Sequence, residues 1–128
     1  MTLLLDTDVI IDYLRGVRIA EMQHALSGHT CAISAISYAE LLAGIPDRET
    51  SAQYASLKGF FKHYEINIVP IDVSVVEKYT DLKHSLKKSP VGDFDTFIAA
   101  TAIAHDASLY TRNIKHFTTI PDLKLYRP

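Results

Sequence analysis

Three carboxylates stand where solvation alone does not explain them. Asp6 closes the apolar run Leu3-Leu4-Leu5, Glu40 sits inside the mostly apolar stretch 36–43, and Asp95 opens the apolar run 96–100 with Asp93 two residues ahead. Carboxylates gathered in one cleft repel each other and are costly to ionise together unless a cation joins them. Oxygen donors of this kind suit Mg²⁺ or Mn²⁺, hard ions that favour carboxylate and water. Such an ion activates water and neutralises charge developing on a phosphate, the chemistry of metal-assisted phosphodiester hydrolysis. Each carboxylate also has a structural role open to it. Asp6 or Asp8 can cap the helix that follows. Ser37-x-x-Glu40 matches a capping box, although a helix start at Ser34 leaves Glu40 in mid-helix. Asp93 is a good N-cap, with Asp95 then in a first turn whose dipole favours an anion with or without a metal.

The elements that must position these residues alternate in kind. Short apolar runs at 3–5, 30–33, 66–69 and 108–111, with a fifth at 123–126, read as buried strands. Between them lie stretches with helical spacing. Val9, Ile10, Tyr13 and Leu14 mark a first helix ended by Gly16, and Ile19, Met22 and Leu26 a second that ends near Gly28. A third spans about 34–43 before Gly44 and Pro46, a fourth about 48–64, and a fifth follows Asp72. The sixth, about 94–106, is apolar nearly all round, which predicts a buried helix. Continuous apolar strands separated by helices argue for an α/β sandwich with a mainly parallel sheet. In such sheets ligands bind beyond the carboxyl ends of the strands, where Asp6 falls.

Composition narrows the class. With 128 residues, 48% hydrophobic and 22% charged, the chain has the make-up of one ordinary globular domain over 1–128. Thirteen Lys and Arg against fifteen Asp and Glu leave a formal charge of -2, so nucleic acid can be held only by a local basic patch. Cys31 is the one cysteine, which excludes an internal disulfide and a cysteine-based zinc site and reads as a small buried hydrophobe. No apolar run approaches the roughly 20 residues of a membrane span. The start, Met1-Thr2-Leu3-Leu4-Leu5-Asp6, lacks the basic region and cleavage site of a signal peptide, so the expectation is a cytoplasmic protein.

Four segments then carry a resemblance. They are Leu3-Leu4-Leu5-Asp6-Thr7-Asp8-Val9-Ile10-Ile11-Asp12-Tyr13-Leu14 and Ile33-Ser34-Ala35-Ile36-Ser37-Tyr38-Ala39-Glu40-Leu41-Leu42-Ala43-Gly44. The others are Pro90-Val91-Gly92-Asp93-Phe94-Asp95-Thr96-Phe97-Ile98-Ala99-Ala100-Thr101-Ala102 and Leu109-Tyr110-Thr111-Arg112-Asn113-Ile114-Lys115-His116-Phe117, the last followed by Ile120-Pro121-Asp122-Leu123. Together, in order and over nearly the whole chain, they resemble the PIN domain, most closely the small VapC-type toxin ribonucleases of toxin–antitoxin pairs. The resemblance implies a PIN-like three-layer sandwich with a mainly parallel sheet of about four or five strands flanked by helices. It implies a metal-dependent endoribonuclease using Mg²⁺ or Mn²⁺, with Asp6, Glu40 and Asp95 in the acidic roles and Asp6 and Asp95 as direct ligands. Asp93 adds an outer contact on this view, and Thr111 and Asn113 sit where the family often has a Thr and a further polar or acidic residue. An RNA substrate, a cognate antitoxin inserting a segment into the acidic groove, and a homodimer built on the exposed residues of helices two to four are implied likewise.

This chain departs from the family at two places. Asp8 stands where Asn or Ser is frequent, and His116 stands where an acid often precedes the Phe of the last block, so a fourth carboxylate is missing at both Asn113 and His116. For a polyanionic substrate, Lys87, Lys88, Arg112, Lys115 and His116 are the cations expected near the acids, with Arg15 and Arg18 available to phosphate or an antitoxin peptide. The six histidines show no metal-ligand spacing, and most are expected on the surface or packed against helices. Two other readings stay open: a PIN-like binding module without activity, and a haloacid-dehalogenase-like phosphatase. The strand-Asp-x-Asp opening suits the latter, but the polar, proline-broken stretch 85–90 does not.

Overall fold

The structure, a computed structural model, describes residues 1–86 and 91–128, so Lys87 and Lys88 fall outside it. Its elements run β1 (Thr2–Leu5), α1 (Thr7–Leu14), α2 (Ile19–Gly28), β2 (Thr30–Ser34), α3 (Ala35–Ala43) and α4 (Ala52–His63). The chain continues with β3 (Asn67–Val69), α5 (Val73–Ser85), α6 (Asp93–Ala104), β4 (Ser108–Tyr110) and the single turn α7 (Ile114–Phe117). The four strands pair in the order β3-β2-β1-β4, every pair parallel. The fifth expected strand reduces to one parallel bridge between Leu109 and Leu125, entered through Pro121 and the left-handed Asp122. The turn α7 was not anticipated from periodicity, because four residues are too few to show one.

Helices cover both faces of the sheet, which is why its strands are apolar on both sides. Leu3 and Leu5 point to one face and pack with Val9, Ile10, Met22, Leu57 and Phe60. Leu4, between them, points to the other and packs with Val75, Leu82, Ile98 and Leu109. The alternation of a pleated strand thus divides three consecutive leucines between two cores. As the all-round apolar pattern predicts, α6 is buried through Thr96, Ile98, Ala99, Ala100, Thr101 and Ala102. Its two threonines bond back to the carbonyls of Gly92 (2.7 Å) and Phe97 (2.8 Å), so neither of these hydroxyls is stranded in the core.

Local chemistry sets the helix starts around the sheet's carboxyl edge. The Ser34 hydroxyl accepts the Ser37 N–H at 3.0 Å and caps α3, placing Glu40 in mid-helix as a start at Ser34 implies. Asp72 caps α5 through the Val75 N–H. Asp6 itself is the N-cap of α1, and Asp8 lies in its first turn. At the start of α6 the cap is Gly92, with Asp93 the first helical residue, so the expected capping by Asp93 is not what forms. The strand order turns at β1: β2 and β3 lie on one side, β4 on the other. The crevice between the ends of β1 and β4 is therefore the topological switch point of the sheet, and Asp6 and Thr111 border it.

Candidate active site

Asp6 is the centre of the crevice. It is 6% exposed, its Oδ1 accepts the Thr7 N–H at 2.8 Å and its Oδ2 accepts the Thr111 hydroxyl at 2.8 Å. Burial, and then the charge of Asp8, push its carboxyl up to about 7 despite these two bonds, and Asp95 adds to the rise. Asp8 accepts the Arg112 N–H on both oxygens at 3.2 Å, and burial raises it too. The Thr111 hydroxyl lies 3.3 Å from Asp8 but has one proton, and the shorter contact gives it to Asp6. Thr111 in turn accepts the Asn113 N–H at 3.0 Å, so the turn after β4 locks the hydroxyl in place.

The other two acids approach from separate helices. Glu40, on α3, accepts the Thr7 hydroxyl at 2.7 Å through Oε1, which links it to the residue next to Asp6. Asp95, in the first turn of α6, meets the Nε2 of His116 at 3.0 Å through Oδ2. Asp6, Glu40 and Asp95 thus border one region, joined there by Asp8, Thr111 and His116. Asp93 does not join them. Its carboxylate is exposed, binds Lys83 at 2.8 Å and the Tyr79 hydroxyl at 2.8 Å, and is held below its ordinary range by that lysine.

Arg112, expected to meet a polyanion, is otherwise engaged. Its Nε binds Asp12 at 3.0 Å and its Nη1 binds Glu21, while Glu21 also accepts the Tyr110 hydroxyl. Burial works against its charge, but the bonds from Asp12 and Glu21 hold the guanidinium protonated. The Asn113 side chain makes no capping bond to α7; only its backbone contributes, accepting from Phe117 and His116. Two site members had weak sequence signals. Asp8 is visible as the second acid of Asp6-x-Asp8 at a helix start, and His116 only as a histidine in an acid's usual place.

A divalent cation fits this donor set. Among the described residues, these buried or half-buried carboxylates accept hydrogen bonds from backbone N–H groups and hydroxyls rather than from a Lys or Arg side chain, and burial, then the charge of Asp8, raises the carboxyl of Asp6. Among the described residues, no three His, Cys, Asp or Glu side chains converge tightly enough to clasp an ion as they stand. Glu40 is turned to Thr7 and Asp95 to His116. Beside the acids runs a cavity of about 330 Å³ between α1, α3 and α4, lined by Ile11, Leu14, Leu41, Ile45 and Leu57 with Glu40 and Arg15 at its wall.

Known proteins share this fold. The PIN domain family matches residues 3–122. Ribonuclease VapC19 of Mycobacterium tuberculosis is 34% identical over 126 residues, covering 94% of this chain and 96% of its own. Ribonuclease VapC1 of Methanocaldococcus jannaschii is 34% identical over 128 residues, 97% of this chain and 86% of its own. Among solved structures, VapBC2 from Rickettsia felis bound to a DNA fragment from its promoter superposes with a TM-score of 0.86 at 28% identity, covering 98% of each chain. VapBC-1 from nontypeable Haemophilus influenzae gives 0.79 at 30% identity, covering 98% of this chain and 97% of its own. Fold and sequence agree: this chain belongs to the PIN-domain family, alongside the VapC ribonucleases.

Proposed function

We propose that the chain is a divalent-metal-dependent endoribonuclease, the toxin of a toxin–antitoxin pair, with Asp6, Glu40 and Asp95 as its acidic residues. The observation that carries the reading is the Asp6 carboxylate, buried at the switch point beside Asp8 and Asp95 with, among the described residues, no Lys or Arg side chain bonded to it. A bound Mg²⁺ or Mn²⁺ supplies charge neutralisation at the scissile phosphate and activates water for attack. Asp6 and Asp95 hold the ion; Glu40 orients the attacking water or completes the site through one. Thr7 and Thr111 fix Glu40 and Asp6 through their hydroxyls, and Asp8 adds negative charge behind Asp6. The relatives bear the name ribonuclease, and the structures that superpose on this chain are VapBC assemblies, which supports an antitoxin partner here.

The cavity between α1, α3 and α4 is the surface we assign to that partner. Its apolar lining suits a hydrophobic segment and its edge at Glu40 leads to the acids. The homodimer and a cytoplasmic location belong to the same reading; Val17 and Ile19, both exposed, offer apolar surface for self-association. Membership in the PIN family sets the phosphatase alternative aside. The inert binding module keeps one observation in its favour, the Glu40 and Asp95 side chains turned onto Thr7 and His116.

Incubating the protein with structured RNA and Mn²⁺, with and without EDTA, beside Asp6→Asn, separates the two. The nuclease reading expects cleavage that EDTA abolishes and that Asp6→Asn lowers by more than about 100-fold. No cleavage, with no Mn²⁺ binding in a titration, establishes the inert module instead.

A further inference from the structure

The segment after β4 brings no carboxylate to the crevice, yet it brings a nitrogen donor. His116 lies in the last turn of α7 beside Phe117, which is 1% exposed and anchors that turn in the core. The two rings meet edge-on, 5.6 Å apart, so the imidazole is braced on its inner side. Its side chain is only 23% exposed, and Nε2 stops 3.0 Å from Oδ2 of Asp95. Two donors bound at adjacent corners of an octahedral ion, each at about 2.1 Å, stand about 3.0 Å apart. The 3.0 Å contact of His116 with Asp95, the length of an ordinary N–O hydrogen bond, also matches the spacing of two neighbouring ligands.

We propose that His116 ligates the divalent cation of this crevice through Nε2, next to Asp95, and thereby tilts the site toward Mn²⁺ over Mg²⁺. The proposal rests on the metal-dependent reading above and adds which residue replaces the missing acid and what that replacement does. Mg²⁺ prefers an all-oxygen shell, whereas imidazole suits transition metals, so exchanging one carboxylate for one imidazole weakens the site for Mg²⁺ more than for Mn²⁺. Ligation uses the tautomer with its proton on Nδ1 and the lone pair of Nε2 free for the ion.

Pulsed electron paramagnetic resonance on bound Mn²⁺ reads a directly ligated ¹⁴N as echo modulation, independent of catalysis. The wild-type protein is expected to show imidazole modulation, and His116→Asp and His116→Gln to lose it while still binding Mn²⁺. Calorimetric titration of the same proteins is expected to show the ratio of Mn²⁺ to Mg²⁺ affinity falling roughly tenfold in His116→Asp. Mn²⁺ bound to the wild type without imidazole modulation, or with modulation that survives both substitutions, overturns the role of His116 and leaves the nuclease reading standing. An unchanged affinity ratio in His116→Asp overturns the selectivity. Failure of wild type and Asp6→Asn alike to bind Mn²⁺ overturns both readings together.

Discussion

Two aspartates one turn apart on α1 meet opposite electrostatic fates. Asp12 is answered by two guanidinium groups, Arg112 and Arg18, each at 3.0 Å, and the Arg112 bond holds its carboxyl below the ordinary range. Glu21 belongs to the same group: burial would raise it, but bonds from Tyr110 and Arg112 outweigh that and lower it. Asp8, four residues before Asp12, is hydrogen-bonded by the same Arg112 through its backbone N–H, and burial outweighs that bond and the more distant guanidinium charge and raises it; Asp6 beside it rises to about 7. The fold could neutralise the crevice with the arginine it already has. It turns the guanidinium toward Asp12 and Glu21 and leaves net negative charge at the mouth of the sheet. One cluster closes on itself and stabilises the packing of α1, α2 and β4; the other stays open to a cation.

The largest test of that contrast is the pH dependence of stability without metal. Asp6 titrates near its ordinary value of 3.8 in the unfolded chain and near 7 in the fold, so between those values the fold holds a proton that the unfolded chain has lost. Stability is therefore full below about pH 4 as far as Asp6 is concerned and declines as pH rises through about 7, by up to about 4 kcal/mol. The raised carboxyl of Asp8 acts with the same sign. Chemical denaturation in EDTA at pH 5 and pH 8 should show the wild type weaker at pH 8. Asp6→Asn should flatten most of the difference and be the more stable protein at pH 8. Equal pH profiles for the two proteins would mean that the Asp6 carboxyl is not raised in the fold.

The closed cluster should respond in the opposite sense. Arg112→Met leaves Asp12 and Glu21 without their shared partner, and because all three side chains are partly solvated the loss is expected at about 1–2 kcal/mol. Denaturant midpoints measure it. Added Mn²⁺ should stabilise the wild type and Arg112→Met by similar increments, since binding energy enters through the crevice and not through Asp12. A metal response that vanishes in Arg112→Met would join the two clusters into one site.

How much of this was legible in the sequence follows from range. The alternation of apolar runs and helical spacing identified the parallel sheet because burial on both faces acts on every residue of a strand, as the division of Leu3, Leu4 and Leu5 between two cores illustrates. Asp6, Glu40 and Asp95 stood out because each interrupts apolar surroundings at a helix start or within a helix. The partners of Arg112 lie about 90 to 100 positions earlier, and no local pattern tells a guanidinium facing substrate from one facing Glu21. The contact of His116 with Asp95 needs two short segments brought together by α6 and β4, again invisible to spacing.

The smallest expected effect separates two acids on one helical turn. Asp93 and Asp95 both lie in the first turn of α6, where the dipole favours either charge equally. Their side chains diverge: Asp95 meets His116 at the crevice, whereas Asp93 reaches across to Lys83 and Tyr79 on α5, where both charges are largely exposed. Exposed pairs of that kind gain little, because water screens the attraction and ordering a lysine opposes it. Asp93→Asn should therefore leave Mn²⁺ affinity and RNA cleavage at wild-type levels and barely move the melting temperature. Asp95→Asn should weaken Mn²⁺ binding by at least tenfold in the same titration. Matching losses in the two variants would show that α6 serves the site by charge alone; divergent losses show that the direction of a single side chain decides which acid is functional.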